Sequence, residues 1–363
     1  MPAPEPPPLR LGLLRLSDSA PVLLAEASGG FAEAGLDVRI VVEPSWANVA
    51  DKLAYGLLDA AVMLPPLALA AAAGLRGMPA GLTVPMGLSR GGNSVVLCHD
   101  ADAAIRGVEG PLATARALLA WLRAQPARPA LAVVHRFSTH NLLLRHWLAA
   151  VGGVPEADWS TVVVPPEQVV GELAAGRIAG FCAGAPWGDV AEAQGAGRVL
   201  LGTSAIWPHH PEKCLVLSDR WRAGNPARAA LLLRALLAAG RRADTPETAP
   251  HLATLLAGIG IAAPRAAVLR GLPGGAGLER IAFHRGAAWF PWPAHAAWFL
   301  GQMRRWGWLD PATDTAALAR QVYRPDLLRE AALGEGLPWP PETMPESSAT
   351  LPDPLADAPR QAQ

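Results

Sequence analysis

Two α/β lobes facing each other across a cleft are predicted by three features of this 363-residue chain. Short aliphatic runs alternate with helical stretches, the βαβ order of parallel-type sheets with right-handed crossovers and helices on both faces. The pattern occurs twice, and the end of the second unit (GRIAGFCAG, 176–184) echoes that of the first (GLLDAAVML, 56–64). Length and a hydrophobic content of 51% give enough apolar material for two cores.

In order along the chain, 9–16 reads as a strand and 21–36 as a helix ended near Gly35. Residues 37–42 form a strand, 46–55 a helix and 59–63 a short buried strand. Further strands fall at 82–85 and 94–99. The second unit starts with a strand at 131–135 and a helix at 140–151 stopped by Gly152-Gly153. A strand at 161–164, a helix at 166–175 and a buried strand at 178–182 follow. Crossovers are expected near 93–98 and 210–216, after which the chain returns to the first lobe with a helix at 226–242. This divides the chain into lobe I (9–95 and 214–336) and lobe II (96–213), with Pro-rich tails at 1–8 and 337–363. The aromatic segment at 290–308 is expected to pack Trp298 and Met303 into lobe I.

Composition removes several function classes. Formal net charge is zero and the pI is near 7.1, which argues against a general nucleic-acid or membrane surface. Apolar runs such as LALAAAAGL are too short to span a bilayer. Cys98, Cys182 and Cys214 are too widely spaced for a zinc site or a disulfide framework, and fit a reducing cytosol. The opening MPAPEPPPLRLGLLRL carries no basic and apolar leader pattern, so a cytoplasmic location is expected.

Three residues fall at equivalent strand ends. Trp46 follows the strand at 37–42, His140 follows that at 131–135, and Lys213 stands where the chain passes back between lobes. Only two of the 31 basic side chains are lysines, Lys52 and Lys213, so a retained lysine marks a place for a compact charge. Lys52 reads as a solvated helix residue. Ser138 or Thr139 caps the helix containing His140, whose free N–H groups favour an anion. Lys213 adds charge, His140 a donor and Trp46 a flat apolar cover. Together they specify a small, planar, singly charged anion: nitrate, nitrite or bicarbonate. Most of the thirteen tryptophans belong in the core, and His135, His146, His209, His210 and His284 read as surface or supporting residues.

The segments PSWANVADKL, DAAVMLPPLALA, GNSVVL, FSTHNLLLRHWLAA, VVPPEQVVGELAAGRIAGFCAGAPW, IWPHHPEKCLV and FPWPAHAAWFLGQMRRWGW, in that order, resemble the nitrate/nitrite/bicarbonate-binding family of type II solute-binding proteins. That family includes transporter subunits and cytosolic sensors of the NasS type. The resemblance implies a type II periplasmic-binding-protein fold with the oxyanion between the lobes. It places ligand contacts on Trp46, His140 and Lys213, with Gly92, Asn93 and His99 near the remaining ones and Pro65, Ser138 and Thr139 as cleft neighbours. His99 stands where nitrate binders carry an amide, and Ala185 replaces the acidic residue of the usual G-E-P-W.

With no leader pattern, the expected role is a cytosolic nitrate/nitrite sensor. The resemblance supplies its partner, an RNA-binding antiterminator of the NasT type, released when the cleft closes on ligand. The alternative is the substrate-binding subunit of a nitrate/nitrite or bicarbonate ABC importer. Catalysis is not expected, because no clustered Cys/His pattern and no paired carboxylates stand at the strand ends. No cofactor or metal is called for, and neither nucleic acid nor membrane is an expected direct partner.

Overall fold

The computed structural model describes residues 6–333, 336–337 and 339–340. Eleven strands form two sheets among these residues. They are β1 (Leu9–Leu13), β2 (Val38–Val42), β3 (Ala60–Met63), β4 (Leu82–Gly91), β5 (Asn93–Leu97), β6 (Ala130–Val133), β7 (Ser160–Val163), β8 (Gly180–Gly184), β9 (Arg198–Gly202), β10 (Pro211–Ser218) and β11 (Ile281–Ala282). The first sheet runs β11-β4-β10-β3-β1-β2 and the second β7-β6-β8-β5-β9.

Both sheets are mixed, where parallel-type sheets were expected. The βαβ pairs β1–β2, β1–β3, β6–β7 and β6–β8 are parallel. However, β10 runs antiparallel between β3 and β4, and β5 runs antiparallel between β8 and β9. These are the strands that carry the chain from one lobe to the other, and their direction is set by where they must exit rather than by a local crossover. The first passage is the glycine pair at 91–92, both at positive φ (64° and 81°), which lets β4 turn directly into β5. The return runs through 203–210. Consequently Asn93–Leu97 pairs wholly within the second sheet, and Lys213 lies on a strand of the first. The passages between the sheets, after 92 and after 210, lie three residues before the lobe limits expected at 95 and 213.

Helix starts follow the expected chemistry. Ser45 caps helix Trp46–Ala54 by accepting from Asn48 N–H at 3.2 Å, and Ser138 caps helix Thr139–Ala149 by accepting from Asn141 N–H at 3.1 Å. The stretch expected as one helix at 21–36 is two, Ala20–Ala27 and Gly30–Glu33, separated at Gly29 with φ 74°.

The lobes are also joined by an aromatic clasp. Helix Pro293–Arg305 packs on Pro65–Ala72 of the first lobe, with Met303 and Phe299 fully buried. Trp298, expected to point into that lobe, instead faces the other. Its ring lies 4.5 Å from that of Trp207 and 5.8 Å, edge to face, from that of His146. Just beyond the helix, Trp308 meets Phe137 edge to face at 5.6 Å and receives Arg136 and Arg145 over its ring at 4.9 and 5.1 Å. Apart from Trp207, in the return passage, the contacts fall along helix 139–149 and the turn before it. Of the tails, Trp339 packs against Trp289 and Phe290 (ring centroids 5.3 and 6.4 Å), while 1–5 and 341–363 lie outside the described residues.

Lys52 is not merely solvated. Its Nζ lies 2.6 Å from Oε1 of Glu43, a carboxylate 1% exposed at the end of β2. Removing the partner of a buried charge costs its desolvation, about 1–3 kcal/mol. Lys52→Met is therefore expected to lower the unfolding free energy by that amount, seen by circular dichroism as a lower denaturant midpoint with the slope of the transition unchanged.

Candidate functional site

Lys213 is the centre of a buried polar cluster between the two sheets. On β10 Pro211 faces Arg90 and Lys213 faces Ser89, so two residues span one step of β4. Such a bulge breaks the two-residue alternation of a strand. Glu212 and Lys213, adjacent in sequence, therefore both enter the cluster instead of pointing to opposite faces. The Lys213 ammonium pairs closely with the Glu212 carboxylate, lies 3.3 Å from Oδ2 of Asp18, and stands 5.5 Å from the centroid of the Trp46 ring.

Both lobes contribute. From the first, Asp18 sits in the 3₁₀ turn Ser17–Ser19 after β1, and its Oδ1 accepts the Ser89 hydroxyl at 2.5 Å. Trp46 opens helix 46–54 at the end of β2. From the second, Asn93 at the start of β5 donates from Nδ2 to Oε2 of Glu212 at 2.5 Å. His140, in the first turn of helix 139–149, places Nε2 3.3 Å from Oε1 of Glu212. Gly184 ends β8, and a Cβ there would lie 3.3 Å from Asn93 Oδ1, 3.4 Å from Asp18 Oδ2 and 3.7 Å from His140 Nε2. A side chain at 184 would occupy the middle of the cluster. Several buried polar atoms here have no hydrogen-bond partner: Trp46 Nε1, Asn93 Oδ1, Thr139 Oγ1 and both ring nitrogens of His140. Buried polar atoms are paired in the great majority of cases, so the unpartnered indole N–H of Trp46 and imidazole of His140 beside this ammonium mark a place for a polar ligand.

Burial and mutual charge set the protonation states. Burial lowers the Lys213 ammonium, but Asp18 and Glu212 outweigh it and the group stands above its ordinary value. Burial pushes the Glu212 carboxyl up to about 7, with Asp18 adding to the rise and Lys213 and Asn93 opposing it. His140 is held well below its usual range by burial and by Lys213 and His210, and so is a neutral imidazole. Burial also lowers His210 to about 3, reinforced by Arg90 and Lys213. Burial raises the Cys214 thiol, and its Sγ donates weakly to the carbonyl of Met63 at 3.5 Å, so it is inert. A fixed cation, a neutral imidazole, an indole N–H and an amide form a seat that can hold a small oxyanion out of water. Among the described residues no group of three or more His, Cys, Asp or Glu side chains is placed to hold a metal, and no helix is long and apolar enough to cross a membrane.

Of the expected residues, Trp46, Asn93, His140 and Lys213 come together, and Ser138 and Thr139 form the helix start that carries His140. Gly92 adjoins them in the interlobe passage, its N–H donating to Oε1 of Glu279 at 3.1 Å. Pro65 opens helix 65–72 and lines a small cavity shared with Lys213, Arg90 and Trp292. His99 does not join them. It is exposed past the far end of β5, with Nε2 2.9 Å from the carbonyl of Gly195. Six residues of extended strand, about 20 Å, separate it from Asn93. Ala185 accepts the Ser17 N–H at 3.0 Å and borders a cavity with Asp189 and Glu279, so carboxylates stand nearby even without the acidic residue of G-E-P-W. His146 and His210 are buried rather than superficial. Asp18, Glu212 and Gly184 were missed. The first two are the paired carboxylates that the sequence reading found absent. Asp18 could have been suspected from its place in SDSA directly after β1, the same strand-end logic that selected Trp46.

Comparisons with known proteins bear on the family and the fold. The model of the NMT1-like family matches residues 2–257. The nitrate/nitrite binding protein NrtA of Synechocystis sp. (strain ATCC 27184 / PCC 6803 / Kazusa) is 31% identical over 365 residues, covering 95% of this chain and 80% of that one. The nitrate import ATP-binding protein NrtC of the same organism is 33% identical over 346 residues, but this chain spans only 50% of it. The crystal structure of the periplasmic nitrate-binding protein NrtA from Synechocystis PCC 6803 superposes with a TM-score of 0.84 at 30% identity, covering 93% of this chain and 91% of that one. The alkanesulfonate-binding protein SsuA from Xanthomonas axonopodis pv. citri (TM-score 0.62, 16% identity, 87% and 99% covered) shares the fold alone. The fold is the two-lobed periplasmic-binding-protein fold with mixed sheets, and the chain belongs to the NMT1-like family.

Proposed function

We propose that the chain is a solute-binding receptor for nitrate or nitrite, serving an ABC importer, with the anion held between the lobes against Lys213. The observation that carries this reading is the buried Lys213 ammonium beside the unpartnered indole N–H of Trp46 and imidazole of His140. The names of the relatives support the ligand class. Their import roles favour a receptor over the cytosolic sensor expected from the sequence, and import components over a NasT-type antiterminator as partners. The location outside the inner membrane that a receptor requires is part of the proposal, and fractionation of cells carrying the native gene measures it.

One observation favours a second ligand. Glu212 offers an acceptor beside the donors, the mixed environment that bicarbonate needs and that a lone lysine would not provide. Titrating nitrate, nitrite and bicarbonate separately by calorimetry tests the reading. Nitrate or nitrite is expected to bind more tightly, and binding of bicarbonate alone would overturn it.

A ligand bound only by the native state stabilises it by about 2.7 kcal/mol at a hundredfold excess over Kd. Nitrate or nitrite is therefore expected to raise the melting temperature in differential scanning calorimetry, and melts unaffected at millimolar concentrations would count against the site. Lys213→Ala is a poor probe, because it strands two buried carboxylates and costs about 3–5 kcal/mol of stability. Gly184→Ala and Trp46→Phe are sharper. The first places a methyl group among Asn93, Asp18 and His140, and the second removes one N–H while keeping the ring. Each is expected to weaken nitrate binding roughly tenfold, the equivalent of about 1.4 kcal/mol, while the far-ultraviolet spectrum is retained.

A further inference from the structure

We propose that Glu212 determines how this seat accepts an anion: an oxyanion without a proton of its own enters together with one proton from solvent, which forms an O–H bond on the Glu212 carboxylate. The inference rests on the binding reading above and extends it to the charge balance of the same site.

The geometry makes the requirement. In ion-pair contact at the seat, two carboxylates, Asp18 and Glu212, face one ammonium, Lys213. The seat thus already holds one negative charge in excess, and a bound nitrate would add a second in a volume closed to water. Like charges sharing a buried site cannot all remain ionised. Around Glu212 the titratable and charged groups are His140 on helix 139–149, His210 before β10, Lys213 and Cys214 on β10, Asp18 in the turn after β1, Arg90 on β4 and Cys182 on β8. Arg90 is in ion-pair contact with neither carboxylate: its guanidinium donates to the backbone carbonyls of His209 and Gly286 and lies over the Trp292 ring. The two thiols are buried and neutral. Asp18 is engaged by the Ser89 hydroxyl and by Lys213. Glu212 is fully buried, already pushed up to about 7, and lies 3.3 Å from Nε2 of a neutral His140 that can accept the new O–H. Its other oxygen keeps the Asn93 amide. The acid is thus poised to take the proton near neutral pH without losing its place in the network. Nothing is oxidised or reduced, and Lys213 is left to face the anion with only Asp18 opposing it.

The sign follows from linkage. The anion favours the protonated carboxyl, so the complex binds more protons than the free protein and affinity falls as pH rises above 7. The test is calorimetric titration of the full chain with sodium nitrate at pH 8 in HEPES and in Tris, whose ionisation heats differ. The dependence of the binding heat on buffer is expected to give about one proton taken up per nitrate, and Kd is expected to rise by up to tenfold per pH unit between pH 7 and 9. In E212Q, a neutral isostere, nitrate should still bind, with no proton count and a flat pH profile. Nitrate binding to the unaltered chain with no proton uptake overturns the proposal and leaves the receptor reading intact. Uptake that persists in E212Q moves the proton to another group, His140 first, and also overturns it. No binding heat for nitrate at any of these pH values removes the receptor reading and this inference with it.

Discussion

The polar contacts at the centre of the interface between the two lobes are organised by one buried ammonium. A charge taken fully out of water is tolerated only when it is paired and hydrogen-bonded. Lys213 meets that condition with groups from two places: Asp18 from the turn after β1, and Glu212 from its own strand. Glu212 then reaches across to Asn93 and His140 of the second lobe. The pairing is therefore more than a stabilising contact within one core. It ties β10 and β1 of the first sheet to β5 and helix 139–149 of the second, and fixes the distance at which the lobes meet.

That distance matters because the proposed receptor role would work through closure of the lobes. A ligand shifts an open–closed equilibrium only through different affinities for the two states. Here the groups that would contact an anion come from both lobes, so an anion at Lys213 contacts Trp46 and His140 together only when the lobes are apposed. The aromatic clasp acts in the same direction. Trp298, in helix 293–305, and Trp308, just beyond it, seat on Trp207 of the return passage and on His146, Phe137, Arg136 and Arg145 of the second lobe. His146, Arg145 and the site residue His140 share one helix, so a movement of that helix is felt at both ends. The Ser17 N–H to Ala185 carbonyl bond adds a backbone tie beside them.

Much of this was legible in the sequence. Strand–helix alternation, a capping residue at 138 or 139 and glycine stops marked most elements to within a few residues. The strand-end argument selected Trp46, His140 and Lys213, which do converge. The errors share a physical origin: they concern non-local pairing. A period-two pattern cannot reveal that β10 returns antiparallel, nor that a bulge at 212 turns two adjacent side chains into one site. Asp18 was overlooked because a Ser-Asp-Ser turn also serves simply to start a helix. His99 was assigned from the resemblance, whereas β5 carries it away from the cluster. Lys52 looked solvated because its partner, Glu43, is nine residues away at the end of the preceding strand.

The central claim is that the Lys213 cluster seats a small oxyanion between the lobes. A crystal structure of the chain grown with nitrate tests it most directly. The account predicts a planar anion with one oxygen within hydrogen-bond distance of Lys213 Nζ, and with Trp46 and His140 turned toward it. Nitrate bound elsewhere, or a cluster whose Lys213–Asp18–Glu212 contacts are unaltered with no anion among them, would contradict it.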